Sequence, residues 1–252
     1  MIHTSGFLPW INLGSVRIPT YFFVISLVLT ATAFAIRQRA EKQNVPVRMA
    51  MDLFLVVLIS GFVGSRLVHI LWEEPVYYFE NPLRIFDILA GGFVWYGGLA
   101  FGVLGFFFYT RRTSVRMVFS PFRWLDFLAP VTAFGYAGGR IACVLAGCCF
   151  GKNCDWPVPH QLPSQLFAVV WETGLGFWLL RKERQSLGRG QLFALWLGLH
   201  GIGRVLMEVM RDDPRGPSLG PVTLATAVSI AIIIISHRVF KKKHNEIGRR
   251  DR

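Results

Sequence analysis

The sequence predicts an all-α, polytopic membrane protein with seven transmembrane helices, the N-terminus outside and the C-terminus cytoplasmic. Three observations carry this. Hydrophobic residues make up 53% of the 252 and charged residues only 17%, against about 25% charged in soluble domains; mean hydropathy is +0.44. Apolar runs near the roughly 20 residues that cross a bilayer core recur along the chain. The segments between them alternate between basic and acidic, which fixes orientation through the positive-inside rule.

The spans are read at 18–36, 51–72, 92–110, 124–145, 163–180, 191–209 and 219–236. The first begins near Pro19. No basic segment precedes it and no small-residue cleavage site follows, so it is expected to be a retained helix and not a signal peptide. The segment after it holds Arg37, Arg39, Lys42 and Arg48. The second span leads into 73–91, where EEPVYYFENPLRIFDIL mixes aromatic and charged residues as a chain at the outer interface would. The third is followed by Arg111, Arg112, Arg116 and Arg123. The fourth is rich in Gly and Ala and contains Arg140; the fifth contains Glu172. Arg181, Lys182, Arg184 and Arg189 follow the fifth, and a strongly basic tail, 237–252, follows the seventh. Basic segments thus fall on one side, and an odd number of spans puts the two termini on opposite sides, so the two readings of orientation agree. The whole of 1–252 is read as a single integral-membrane domain without linkers or repeats.

The formal charge of +12 would suggest nucleic acid in a soluble protein. Here it is the cytoplasmic loop charge, and no nucleic-acid partner is expected.

Charges within the spans carry the functional argument. An arginine at mid-membrane costs at least about 2.5–3.5 kcal/mol on insertion scales, so Arg140 and Arg204 should face a polar interior. Arg66 and Arg211 lie nearer the outer span ends, where they can snorkel. Glu172 and Glu208 are the candidate ion partners, Glu208 sharing a helix face with Arg204 four residues earlier. The plain alternative is an ion pair that fixes packing. Two deep arginines on different helices point instead to an anionic ligand, since guanidinium grips phosphate with paired hydrogen bonds. In a membrane that phosphate is a phospholipid headgroup. Glycines cluster nearby at 91–92, 97–98, 138–139, 201 and 203. They permit close helix approach, and a Gly-rich turn such as WYGGL (95–99) can also turn backbone N–H groups toward an anion. His200 precedes Arg204 by four residues and so stands beside the bound phosphate as a candidate acid–base group.

Four cysteines, Cys143, Cys148, Cys149 and Cys154, crowd GGRIACVLAGCCFGKNC (138–154). On an outer face the alternatives are a disulfide joining Cys148 or Cys149 to Cys154, a metal site, or reduced thiols. With no CxxC pair and only His160 close by, the usual zinc ligand set is missing. No metal or other cofactor is expected.

Four motifs in order resemble those of the bacterial prolipoprotein diacylglyceryl transferases, over about Tyr21 to Phe240. GSRLVHILWEEPVYYFENPLRIFDILAGGFVWYGGLAFG (64–102) resembles the family's second-span end, outer segment and HGGL motif. GGRIACVLAGCCFG (138–151) resembles GRIGNFxNGExxG, PSQLF (163–167) resembles HPSQLYE, and GRVLMEVMRDDP (203–214) resembles FRFxxExFRxPD. The resemblance implies transfer of the diacylglyceryl group of phosphatidylglycerol to the lipobox cysteine thiol of a preprolipoprotein signal peptide, with release of glycerol phosphate. It implies a multi-pass enzyme of the bacterial cytoplasmic (inner) membrane, expected as a monomer. Arg140 and Arg204 match the family's headgroup and phosphate arginines and Tyr21 a first-span tyrosine. Glu208 and Arg211 match the last motif's remaining charges, while Gly97, Gly98 and Arg66 fall in the first motif. All are read as phospholipid-binding.

The chain departs from the family where Tyr96 replaces the HGGL histidine and His200 a tyrosine four residues before the last arginine. Cys143 replaces the signature asparagine, and Leu162 and Ala168 replace the histidine and glutamate of HPSQLYE. An imidazole and a phenol have changed places. A phenol of ordinary pKa about 10 is a poor base at neutrality where imidazole is a good one. His200 is therefore expected to take the base role, with Tyr96 as its hydrogen-bond partner. These departures also leave room for a paralogue that uses another acceptor, or for a non-catalytic phospholipid-binding or transport protein.

Overall fold

The structure is a computed structural model that describes residues 10–14, 16–87, 92–147, 149, 151–152, 163–185, 187–210, 218–219 and 222–250. It is mostly helical, and among the described residues four helices are long and apolar enough to cross a membrane: Thr20–Lys42, Val47–Glu73, Pro121–Ala146 and Gln191–Val209. Gly97–Thr110 is a shorter apolar helix. The chain divides into two compact units, one of Ile36–Trp124 and one of Met1–Ala35 with Leu125–Arg252.

Two short antiparallel hairpins supplement the all-α expectation. β1 (Trp10–Leu13) pairs with β2 (Val16–Pro19), turning at Gly14, whose φ is +62°. β2 leads directly into α1 (Thr20–Lys42). α1 outruns the expected span end at 36 because Arg37, Arg39 and Lys42 are good helix formers, and cations suit the negative end of the helix dipole. It stops where Asn44 turns left-handed at φ +53° ahead of Pro46.

In the unit of Ile36–Trp124, α2 (Val47–Val68) runs into a π-helical turn, His69–Glu73, then α3 (Pro75–Glu80) and a 3-10 turn, Pro82–Phe86. α4 (Trp95–Thr110) returns against α2, and α5 (Thr113–Val118) follows. The α2–α4 contact is a seam of small residues. A Cβ on Gly97 would sit 2.6 Å from the Gly64 carbonyl oxygen, and one on Gly98 would sit 3.3 Å from that of Gly61. Backbones approach this closely only where side chains are absent. The side chains of 71–86 are largely outward: Leu71, Trp72, Phe79, Leu83 and Phe86 are exposed.

The other unit is built on α6 (Pro121–Ala146), α7 (Ser164–Lys182), α8 (Gln191–Val209) and α9 (Leu224–Arg250). Ala129 and Ala133 of α6 leave room for Leu175 and Leu179 of α7 and Leu192 and Trp196 of α8, and these six form the core. Asp126 of α6 caps α8 from outside, accepting the backbone N–H of Gly190 at 2.6 Å and of Phe193 at 2.9 Å. Gly190 has φ +86°, a conformation that strongly favours glycine. α8 meets α9 at Gly201, where a Cβ would fall 2.8 Å from Ile233 and 3.2 Å from the Ser229 carbonyl oxygen.

α8 spans 191–209 as the sequence predicts; α6 extends its predicted span by three residues at the start and one at the end, and α7 starts one residue later than predicted and ends two later. The last element differs more. β3 (Ser218–Leu219) pairs with β4 (Val222–Thr223), and α9 starts only at Leu224 and continues to Arg250. Pro221 in the predicted start disfavours helix before it, while the lysines and arginines of the tail are good helix formers.

Candidate functional site

The site gathers on three helices of the second unit. α6 contributes Tyr136 and Arg140, four residues and about one turn apart. Another face of the same helix carries Gly135 and Gly138, which pack on α1: a Cβ on Gly138 would lie 2.8 Å from Val28. Glycine on one face and Tyr-Arg on another let α6 lie close to α1 while presenting a polar pair elsewhere. α8 contributes Trp196, His200, Arg204 and Glu208, spaced by four down one face. α7 contributes Glu172, 1% exposed, and Trp171.

These side chains form a connected line. Arg140 Nη2 donates to the Tyr136 hydroxyl at 2.6 Å, and its guanidinium lies 4.9 Å from the centre of the same ring. The Tyr136 ring meets His200 edge to face, centroids 4.7 Å apart at 86°. His200 Nδ1 is 2.7 Å from Glu172 Oε1. Trp196 Nε1 donates to Glu172 Oε2 at 3.3 Å, and its ring lies 5.3 Å from His200. Indole N–H can only donate, so Oε2 is an acceptor. A carboxylate that also takes the Nδ1–H of His200 has both oxygens satisfied.

Arg140 thus contacts the phenol of Tyr136, and among the described residues no carboxylate lies within ion-pair distance of it. Glu172, expected as an arginine partner, belongs to His200 and Trp196. Arg204 and Glu208 are paired as the spacing suggests, though at 3.9 Å. Glu208 also accepts from the Thr223 hydroxyl at 2.6 Å. Arg140 thus has no carboxylate partner among the described residues, while Arg204, one turn beyond His200 on α8, has Glu208 at 3.9 Å; guanidinium groups of this kind can take a phosphate.

The remaining predicted residues lie on other elements. Tyr21 opens α1, 39% exposed, its ring edge-on to Phe22. Arg66, in the other unit, is 7% exposed. It does not snorkel: it donates to the carbonyls of Arg84, Ile85, Asp87 and Gly92, at 3.0–3.4 Å, and lies over the Tyr78 and Phe93 rings. Five bonds to four carbonyls satisfy the buried guanidinium and tie Arg84, Ile85, Asp87 and Gly92 to α2. Gly97 and Gly98 lie in the first turn of α4, in the small-residue seam. Tyr96 is in the same turn, and its side chain lies outside the described residues, as does all of Arg211. Cys143 is buried on α6. Cys149 has φ +65° and its carbonyl accepts from Ser164 at 3.0 Å. Cys148, Cys154 and His160 lie outside the described residues, and the disulfide alternative with them.

Tyr136 was not among the predicted residues. Its signal was present, four residues before Arg140 on the same face, the rule that singled out His200 before Arg204. Trp196 precedes His200 by the same step.

Comparison with known proteins adds independent findings. A family model described as prolipoprotein diacylglyceryl transferase matches residues 9–240. A phosphatidylglycerol–prolipoprotein diacylglyceryl transferase of Clostridium tetani is 28% identical over 242 residues, covering 91% of this chain and 94% of that protein. One of Clostridium perfringens, numbered 2, is 27% identical over 231 residues, covering 86% and 88%. One of Janthinobacterium sp. is 30% identical over 199 residues, covering 73% and 72%.

Proposed function

The chain belongs to the prolipoprotein diacylglyceryl transferase family, and from that membership and the geometry around His200 we propose that it moves the diacylglyceryl group of phosphatidylglycerol onto the lipobox cysteine thiol of a preprolipoprotein. The observation that carries the reading is the line Arg140–Tyr136–His200, with Arg204 one turn further along the face of α8. It combines cations for a phosphate with a base for a thiol.

In this reading Arg140 and Arg204 hold the headgroup phosphate. His200 Nε2 takes the proton of the acceptor thiol. The thiolate sulfur attacks the glyceryl carbon that bears the phosphate, the carbon–oxygen bond breaks, and its electron pair leaves on glycerol phosphate. Charge builds on the departing phosphate, so cations fixed beside it stabilise the transition state more than the ground state. Tyr96, which stands where the family has the HGGL histidine, is assigned to the chemistry as well. Tyr21, Gly97, Gly98, Arg66, Glu208 and Arg211 are assigned to the lipid site, Glu208 by holding Arg204. The enzyme acts as a monomer crossing the bacterial cytoplasmic membrane seven times, N-terminus out. Supporting this are the four long apolar helices, the shorter one, and the one-sided loop charge.

The test is incubation of the purified protein in phosphatidylglycerol vesicles with a lipobox peptide. A diacylglyceryl thioether on the peptide, with glycerol phosphate released in equal amount, is expected, and a peptide with serine for cysteine should give neither. Glycerol phosphate release that requires a different acceptor would overturn the choice of substrate. Lipid binding with no turnover would overturn the enzymatic reading.

A further inference from the structure

Glu172 is the most deeply buried acid of the site, yet neither thiol activation nor phosphate binding as described uses it. We infer that Glu172 is a positioning residue that makes His200 a base at Nε2, so that acceptor thiol, His200 and Glu172 form a triad completed only when the peptide is bound. This rests on the transferase reading above.

The physical basis is the tautomer. A neutral imidazole carries one proton, and the hydrogen bond made by one nitrogen decides which nitrogen is basic. His200 Nδ1 lies 2.7 Å from Glu172 Oε1, so the proton sits on Nδ1 and is donated to the carboxylate. Nε2 then presents its lone pair, and among the described residues it has no hydrogen-bond partner. Glu172 is itself fixed. Trp196 Nε1 holds its other oxygen, and its neighbour Trp171 donates from Nε1 to the Leu199 carbonyl at 3.2 Å, tying α7 to α8 beside His200. The imidazole is further pinned between the Tyr136 and Trp196 rings.

When the thiol gives its proton to Nε2, imidazolium forms. The buried carboxylate 2.7 Å away stabilises that charge, and the proton on Nδ1 stays where it is. The nucleophile is the substrate's own sulfur, so the constellation has the logic of a nucleophile–base–carboxylate triad with its first member supplied by the acceptor. The same imidazole meets the ring of Tyr136, whose hydroxyl accepts from Arg140. The base and the phosphate-holding cation are therefore set by one connected group of side chains, and the thiolate is formed next to the phosphate it displaces.

The experiment is a double-mutant cycle in reconstituted vesicles with Glu172→Gln, His200→Ala and the pair, measuring kcat and KM for the lipobox peptide and for phosphatidylglycerol. Glutamine keeps the shape and loses the charge. Glu172→Gln should lower kcat roughly 10²-fold with both KM values within about twofold, and should add little to the loss already caused by His200→Ala. Aspartate in place of Glu172 should restore part of the rate. Equal losses from Glu172→Gln in the wild-type and His200→Ala backgrounds would overturn the inference, since Glu172 would then act independently of His200. If Glu172→Gln does not accumulate in the membrane, Trp196→Phe takes its place: a several-fold kcat loss that vanishes in the His200→Ala background is expected, and equal loss in both overturns the inference. Absence of thioether product from the wild-type protein would overturn the transferase reading, and this inference with it; wild-type turnover with an unaffected Glu172→Gln would overturn the inference alone.

Discussion

Gly203→Ala tests how packing holds the site together. A Cβ at 203 would lie 2.5 Å from Nε1 and 2.7 Å from Cδ1 of the Trp171 indole. Ordinary contact begins near 3.4 Å, so the indole, itself 36% exposed, or helix α7 with it, must yield by roughly 1 Å against the buried Gly203 backbone. Overpacking of this kind costs about 1–3 kcal/mol. The displaced Nε1 also loses its bond to the Leu199 carbonyl, worth about 1 kcal/mol net. The expected destabilisation is about 2–4 kcal/mol. The functional effect follows from chain neighbours: Trp171 precedes Glu172, and Leu199 precedes His200. Pushing the indole aside lengthens the 2.7 Å Glu172–His200 contact, and misplacement on this scale costs about 10²-fold in rate. Thermal midpoint and thioether formation are measured together. The control is Gly174→Ala on α7, where an added Cβ meets nothing within 4 Å. It should keep wild-type activity and gain up to about 1 kcal/mol from helix propensity. A Gly203→Ala protein with wild-type midpoint and rate, or a Gly174→Ala protein equally damaged, would refute the reasoning.

Asp126→Ala removes the carboxylate that accepts two N–H groups at the start of α8. A loss of about 1–2 kcal/mol, read as a lower thermal midpoint, is expected with activity retained well below it. Arg140→Lys keeps the charge but loses the planar fork, and should lower kcat/KM for phosphatidylglycerol at least about tenfold while leaving expression unchanged. Replacing Cys143, Cys148, Cys149 and Cys154 together by alanine should leave thioether formation within a few-fold of wild type, since no cysteine is assigned to the chemistry; a folded but inactive variant would contradict that assignment.

Much of this architecture was legible as periodicity. Apolar runs of about span length located α1, α2, α4, α6, α7 and α8, four of which are long and apolar enough to cross a membrane. The i,i+4 rule placed His200, Arg204 and Glu208 on one face of α8, as found. The pairing of helices was not legible. Which carboxylate meets which cation depends on the rotation and register of α7 against α8, and no local pattern encodes that. Glu172 therefore looked like a partner for an arginine and turned out to hold His200. Arg66 failed for a related reason. Its position at a span end suggests snorkelling, but Arg84, Asp87 and Gly92 offer it carbonyl oxygens, partners remote in sequence. The Gly97-Gly98 pair showed the complementary ambiguity. Both close packing and an anion-binding turn explain it in sequence, and the Gly64 carbonyl 2.6 Å from the missing Cβ supplies the packing reason.

The most direct measurement is single-turnover thioether formation on a lipobox peptide by the wild-type and His200→Ala proteins in identical phosphatidylglycerol vesicles. With His200 as the thiol's base, the wild-type protein forms the thioether and releases glycerol phosphate, and His200→Ala is slower by roughly 10²-fold or more while still binding the lipid. Thioether formation by His200→Ala at the wild-type rate would contradict the assignment of the base and the site built around it.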